Sequence, residues 1–132
     1  MTTRDRICTF GEYIKARREA LGKSIRGLAA ELEITPAYLS DIEKGYRYAP
    51  EKHLVKMIVV LNITGEDINR FYDLAGQSRN NNYPDLVDYI GSSEKARKAL
   101  RKARDIGISD SQWQEFIDKI SKTSMLTKSH KG

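Results

Sequence analysis

Apolar residues recur at helical spacing along most of the chain. Phe10, Tyr13, Ile14 and Leu21 keep a three-to-four-residue period, which predicts a first helix from near Thr9 to Ala20, stopped by Gly22. Leu28, Ala29 and Leu32 mark one face of a short second helix, and Ser24 is its N-cap. A third begins within a few residues. Thr35 is the cap, Pro36 sits at the first helical position, where a missing N–H costs nothing, and Ile34 with Leu39 fits a hydrophobic staple. Leu39 and Ile42 then point inward, and Gly45 stands where the chain must turn left-handed. Pro50 starts a fourth helix with Leu54, Met57, Ile58 and Leu61 as its buried stripe. Thr64 is expected to cap a fifth, with Ile63 and Ile68 as a second staple, Phe71, Tyr72 and Leu74 inward, and Gly76 at the end.

The pattern then breaks. Residues 77–83, QSRNNNY, are polar and read as a linker. Pro84 opens a short apolar face of Leu86, Val87, Tyr89 and Ile90. Ser92 or Ser93 caps the next helix, which runs to about Asp105. It carries Ala96, Ala99, Leu100 and Ala103 on one side, and Lys95, Arg97, Lys98, Arg101, Lys102 and Arg104 on the other. Ser109 and Gln112 form a capping-box pattern ahead of a last helix with Trp113, Phe116, Ile117 and Ile120 as its stripe. From Lys122 onward the chain reads as a disordered tail. The expectation is an all-α protein: a five-helix domain over 1–76, a linker over 77–83, a helical extension over 84–121 and a tail over 122–132.

Charge changes this picture in one respect. The net charge of the 132 residues is +5, which permits a nucleic-acid partner without requiring one. Residues 1–76 hold twelve Lys/Arg against eleven Asp/Glu, a net of +1, whereas residues 77–132 hold eleven against seven, a net of +4. A DNA-reading surface in the first half therefore needs its cations sorted onto one face.

Candidate chemistry is sparse. No apolar run approaches the ~18 residues of a membrane span, and the N-terminal residues lack the apolar core of a signal peptide. A single cysteine, Cys8, excludes an intramolecular disulfide and a multi-cysteine zinc site, and His53 and His130 lie far apart. There is no Gly-rich phosphate loop. Gly11 and Gly22 read only as a helix start and stop, and Glu12, Glu19, Glu31 and Glu43 are dispersed by helical phase. The expectation is a cytoplasmic protein without catalytic residues, metal or cofactor.

With Leu39 and Ile42 inward, the third helix turns Pro36, Ala37, Tyr38, Asp41 and Lys44 outward. In register with this lie Ser24, Leu28-Ala29, Ile34-Thr35, Leu39-Ser40, Ile42-Glu43 and Gly45, and the stretch resembles the helix-turn-helix of the Xre family, the fold of Cro and lambda-type repressors. The resemblance covers about Phe10 to Gly76. It implies a sequence-specific regulator of double-stranded DNA, most simply a dimeric repressor whose third helix enters the major groove. It implies a partly buried ion pair between Arg18 and Glu43. It also implies that the loop with Tyr46, Arg47 and Tyr48 runs along the DNA backbone, with at least one of its tyrosines expected on the core. Ser24 and Thr35 donate to phosphates, Lys44 and Arg47 bring charge to them, Tyr46 or Tyr48 can add a hydroxyl contact, and Arg26 and Ser40 belong to the same DNA-binding set. Pro36 and Ala37 can meet thymine methyls, Tyr38 a base edge or phosphate, and Asp41 a cytosine amine. Two positions depart from the family pattern: Glu33 stands where glycine is usual in the turn, and Ile25 where glutamine is frequent.

The stripe of Trp113, Phe116, Ile117 and Ile120 needs cover, since the extension has too little apolar area to fold alone. The twin face of a second subunit, the chain's own first domain and a different protein are all open as the cover. A protein-interaction module of the antitoxin or anti-repressor kind is accordingly the competing reading.

Overall fold

The computed structural model describes residues 8–131, with side chains for 8–123. Among them are eight helices: α1 Phe10–Ala20, α2 Ile25–Leu32, α3 Pro36–Lys44, α4 Glu51–Val60, α5 Glu66–Gln77, α6 Pro84–Ser92, α7 Glu94–Ile106 and α8 Asp110–Lys131. The protein is all-α, a five-helix lambda-repressor-like domain followed by a helical extension. No helix among the described residues is long and apolar enough to cross a membrane.

Side-chain caps set the helix starts. Thr9 and Glu12 form a reciprocal capping box at α1, with Oγ1 accepting the Glu12 N–H at 3.2 Å and Glu12 Oε1 accepting the Thr9 N–H at 2.9 Å. Ser24 Oγ accepts from Gly27 at 2.9 Å, and Thr35 Oγ1 from Tyr38 at 3.1 Å. The helix ends share a second device. After α1, α2, α3 and α4, a left-handed residue (Gly22, Glu33, Gly45 and Asn62) closes the last turn. The two amides that follow each helix bond back to its final carbonyls, as in Ile34 N–H to Ala29 O at 3.0 Å and Tyr46 N–H to Asp41 O at 2.9 Å.

The chain divides into two compact units, with the boundary between Tyr89 and Ile90, inside α6. The first has one core. Phe71 and Ile14 lie fully buried with Leu28, Leu32, Leu39, Ile42, Leu54, Met57 and Leu61, and Phe71 packs on Phe10 with ring centroids 5.3 Å apart. Gly11 fixes how closely α1 crosses α3: a Cβ there would run into the backbone carbonyl oxygens of Glu43 and Ile42. That glycine is a contact point between helices as well as part of a helix start.

Four expectations need correction. Thr64 does not cap α5. Gly65, at φ 60°, occupies that position without a side-chain bond, and Thr64 contributes only its carbonyl, to the Asp67 amide at 3.2 Å. Gly76 does not end α5, which runs on to Gln77 with Ser78 as its C-cap; the glycine instead makes room for the Tyr83 ring, which occupies the space a Cβ would need. Residues 77–83 are therefore not a free linker. Asn81 N–H bonds to Gly76 O at 2.8 Å, and Arg79 lies 3.7 Å from Glu51, so the segment folds back and the first unit continues to Tyr89. Finally, α8 runs on past Lys122 to Lys131, since no glycine or proline interrupts the chain from Asp110 to Lys131.

The second unit is built from well-capped helices with little interior. Ser93 Oγ accepts from Ala96 at 3.1 Å, Gly107 takes a left-handed turn, and Ser109 and Gln112 exchange side-chain-to-backbone bonds of 2.8 and 3.2 Å. Arg97 Nη1 donates to the carbonyls of Ile90 and Gly91 at 2.9 and 2.7 Å, closing the end of α6. No described side chain of α7 or α8 is buried.

Candidate nucleic-acid interface

Leu28, Ala29 and Leu32 anchor α2 in the core, and Leu39 and Ile42 anchor α3. Glu33 makes the turn between them, and it takes the full left-handed conformation, φ 58° and ψ 42°. Its carboxylate reaches Lys56 Nζ of α4 at 2.8 Å, and that hydrogen bond holds Glu33 below the usual carboxylate range. The turn keeps its geometry despite the missing glycine, at a cost in backbone strain.

The end of α3 is fixed from behind. Arg18 Nε and Nη2 donate to the two Glu43 oxygens at 2.8 and 3.0 Å, with both side chains buried, and Arg18 Nη1 donates to Lys23 O at 2.9 Å. The hydrogen bonds to Glu43 raise the Arg18 pKa above its usual value. The pair implied by the resemblance thus exists as a bidentate clamp joining α1 to α3.

On the opposite side, Ser24, Arg26, Thr35, Pro36, Ala37, Lys44, Tyr46 and Arg47 are exposed, while Tyr38, Ser40 and Asp41 are half-buried. Ser24 and Thr35 use their oxygens as acceptors in the caps, which leaves each hydroxyl proton free to donate outward. Tyr38 is less free than the sequence suggests. The Arg47 guanidinium lies over its ring, 4.5 Å from the centroid, and His53 meets it edge-on at 6.2 Å. Burial, followed by Lys52 and Lys56, lowers the His53 pKa below its ordinary 6.5. Tyr38, Tyr46, Arg47, Tyr48 and Pro50 line a hollow of about 410 Å³ beside the end of α3. Neither Tyr46 nor Tyr48 packs on the core, contrary to expectation. Ala49, directly after them, is the buried residue, and the exposed Tyr48 ring lies instead beneath Arg79, 4.9 Å away. His53 and Arg79 are neighbours that sequence reasoning missed, because both lie outside the helix-turn-helix spacing.

The basic residues sort unevenly. Arg17 Nη2 donates to the carbonyls of Leu61 and Asn62 at 3.2 and 2.8 Å, Arg18 is buried, and Lys23 pairs with Glu31 at 2.8 Å. Among the described residues Arg26 and Lys44 carry no ion pair, and Arg47 is engaged only by stacking. Of these six cations, three are thus left to the outer surface.

A family model described as helix-turn-helix, of the Xre-like kind, matches residues 14–68. Residues 14–68 form an Xre-like helix-turn-helix domain. The matched segment runs from α1 into α5 and leaves α6, α7 and α8 outside it. No curated protein and no solved structure matches the chain. Within the matched residues α2, the turn at Glu33 and α3 make the helix-turn-helix, with α3 its second helix.

Proposed function

We propose that the chain is a sequence-specific regulator of double-stranded DNA, acting as a dimeric repressor, with the N-terminal end of α3 in the major groove. One observation carries this reading: α3 is clamped from behind by the core and by Arg18–Glu43, while its front, from Thr35 to Lys44, is exposed or half-exposed. Ser24 and Thr35 donate hydroxyl protons to phosphates, and Arg26, Lys44 and Arg47 supply charge. Pro36 and Ala37 meet thymine methyls, Asp41 accepts from a cytosine amine, and the stacked Tyr38–Arg47 pair approaches the duplex as a unit. No arginine or glutamine stands at the leading positions of α3, so direct readout is modest and DNA shape contributes.

Dimerisation falls to half-buried Trp113 and exposed Phe116, Ile117 and Ile120, a stripe of a kind that a second copy covers under two-fold symmetry. Two half-sites about 10 bp apart are then expected. Selection of bound duplexes from a random pool tests the reading, with a recurrent two-fold motif as the expected result. Light scattering after size exclusion tests the dimer. The second reading, a protein-interaction module, is favoured by the same exposed stripe on α8. It predicts a monomer that enriches no duplex.

A further inference from the structure

Helix α7 carries the densest charge in the described chain, and the helix-turn-helix does not use it. Between Glu94 and Asp105 there is no acidic residue, only Lys95, Arg97, Lys98, Arg101, Lys102 and Arg104 with alanines and one leucine. Arg97 is spent on the carbonyls at the end of α6, and Arg104 lies 3.0 Å from Asp105. Lys95, Lys98, Arg101 and Lys102 are exposed and carry no ion pair among the described residues. Lys95, Lys98 and Lys102 follow i, i+3, i+7 spacing, with Arg101 beside them, so the four share one side of the helix. The row spans about 10 Å at ~1.5 Å per residue. Like charges at i, i+3 and i, i+4 repel, as Lys95 does Lys98 and Lys98 does Lys102, so the bare helix carries a strain that a polyanion relieves.

We infer that this face of α7 is a second, sequence-independent DNA-backbone contact, acting in addition to the front of α3. The inference rests on the DNA-binding reading above. Two observations support it together. Of the cations flanking the helix-turn-helix, Arg17, Arg18 and Lys23 are held by the protein itself, which leaves Arg26, Lys44 and Arg47 for phosphates, with Lys52 exposed at the start of α4. The unit that follows on the same chain holds four further free cations. Duplex DNA presents one negative charge per ~1.7 Å of axis over its two strands, a density that lets each of the four cations meet a phosphate. Covalent attachment raises the local concentration of phosphate around α7 once α3 is docked, and a non-specific contact then adds affinity without altering the preferred sequence.

The test is a binding titration of the full chain across a salt series, on the selected duplex and on a random-sequence duplex. The quadruple variant Lys95→Gln, Lys98→Gln, Arg101→Gln and Lys102→Gln keeps helix propensity, and circular dichroism checks that it does. The variant is expected to bind both duplexes at least about tenfold more weakly, with the same sequence preference. Its log–log salt slope is expected to fall by roughly three to four, since each phosphate contact contributes ~0.9. The charge-preserving Lys95→Arg, Lys98→Arg, Lys102→Arg variant should bind like the parent. Unchanged affinity and slope in the quadruple variant overturn the inference while leaving the DNA-binding reading standing. If the parent chain itself binds no duplex, both fall. Loss of binding to phosphatidylserine vesicles in the quadruple variant, with duplex binding unchanged, overturns it in favour of a membrane surface.

Discussion

Phe71 in α5 and Phe116 in α8 are both aromatic positions of an amphipathic helix, yet the first is fully buried and the second is 52% exposed. The helices around them are capped by similar means. Thr9–Glu12 at α1 and Ser109–Gln112 at α8 are matching capping boxes, and Gly45 and Gly107 are matching left-handed stops. Local signals therefore built helices equally well in both units. What differs is that α1 to α5 close on one another, whereas Phe116, Ile117 and Ile120 each stay about half exposed. Capping specifies a helix, but burial of its apolar stripe needs facing surface, and the second unit supplies too little of its own.

The sharpest way to break this contrast is the pair Phe71→Ala and Phe116→Ala. The first should cost about 3–5 kcal/mol in urea unfolding, and the second less than ~0.5 kcal/mol at dilute protein concentration. Equal losses would mean that α8 is covered in solution. Glu43→Ala removes one side of the buried clamp and should cost about 3 kcal/mol by leaving Arg18 uncompensated. A neutral result would show that the pair adds nothing beyond its surroundings. Gly11→Ala forces a methyl against the α3 carbonyls and should cost about 2–3 kcal/mol, measured by thermal unfolding, whereas Gly91→Ala, with open space around it, should not. Glu33→Gly relieves the left-handed strain and should raise the melting temperature by a few degrees, despite the lost Lys56 contact. A lower melting temperature would assign more to that contact than to the strain. The smallest effect is pH dependence. His53 has a lowered pKa in the folded chain, so between the folded value and about pH 6.5 the unfolded chain binds more protons. Stability due to this group is complete above 6.5 and is lost as pH falls through the folded value. His53→Gln should flatten that decline in a pH series of melting curves.

The fold was legible where the code is local. Ser24, Thr35 and Gly45 marked the helix-turn-helix ends without reference to the rest of the chain, and the period of Leu28, Leu32, Leu39 and Ile42 gave its inward face. Contacts between distant residues were not legible. Nothing local announces that Gly11 passes under the Glu43 carbonyl, that Tyr83 lies on Gly76, or that Arg79 covers Tyr48. The same limit shaped the candidate interface. Its residues followed from the spacing, but Tyr38 is engaged by Arg47 and His53, and Lys23 by Glu31, through contacts made across loops. The count of free cations, which decides how strongly the surface holds phosphate, needed the folded arrangement.

The central claim is that the front of α3 reads a duplex. Selection of bound oligonucleotides from a random double-stranded pool, run with the parent chain and with Tyr38→Ala, measures this directly. The account predicts a recurrent motif with half-sites about one helical turn apart, and a loss of roughly 1–3 kcal/mol of discrimination in the variant. A folded parent chain that enriches no motif, or a variant that enriches the same motif with undiminished preference, would contradict it.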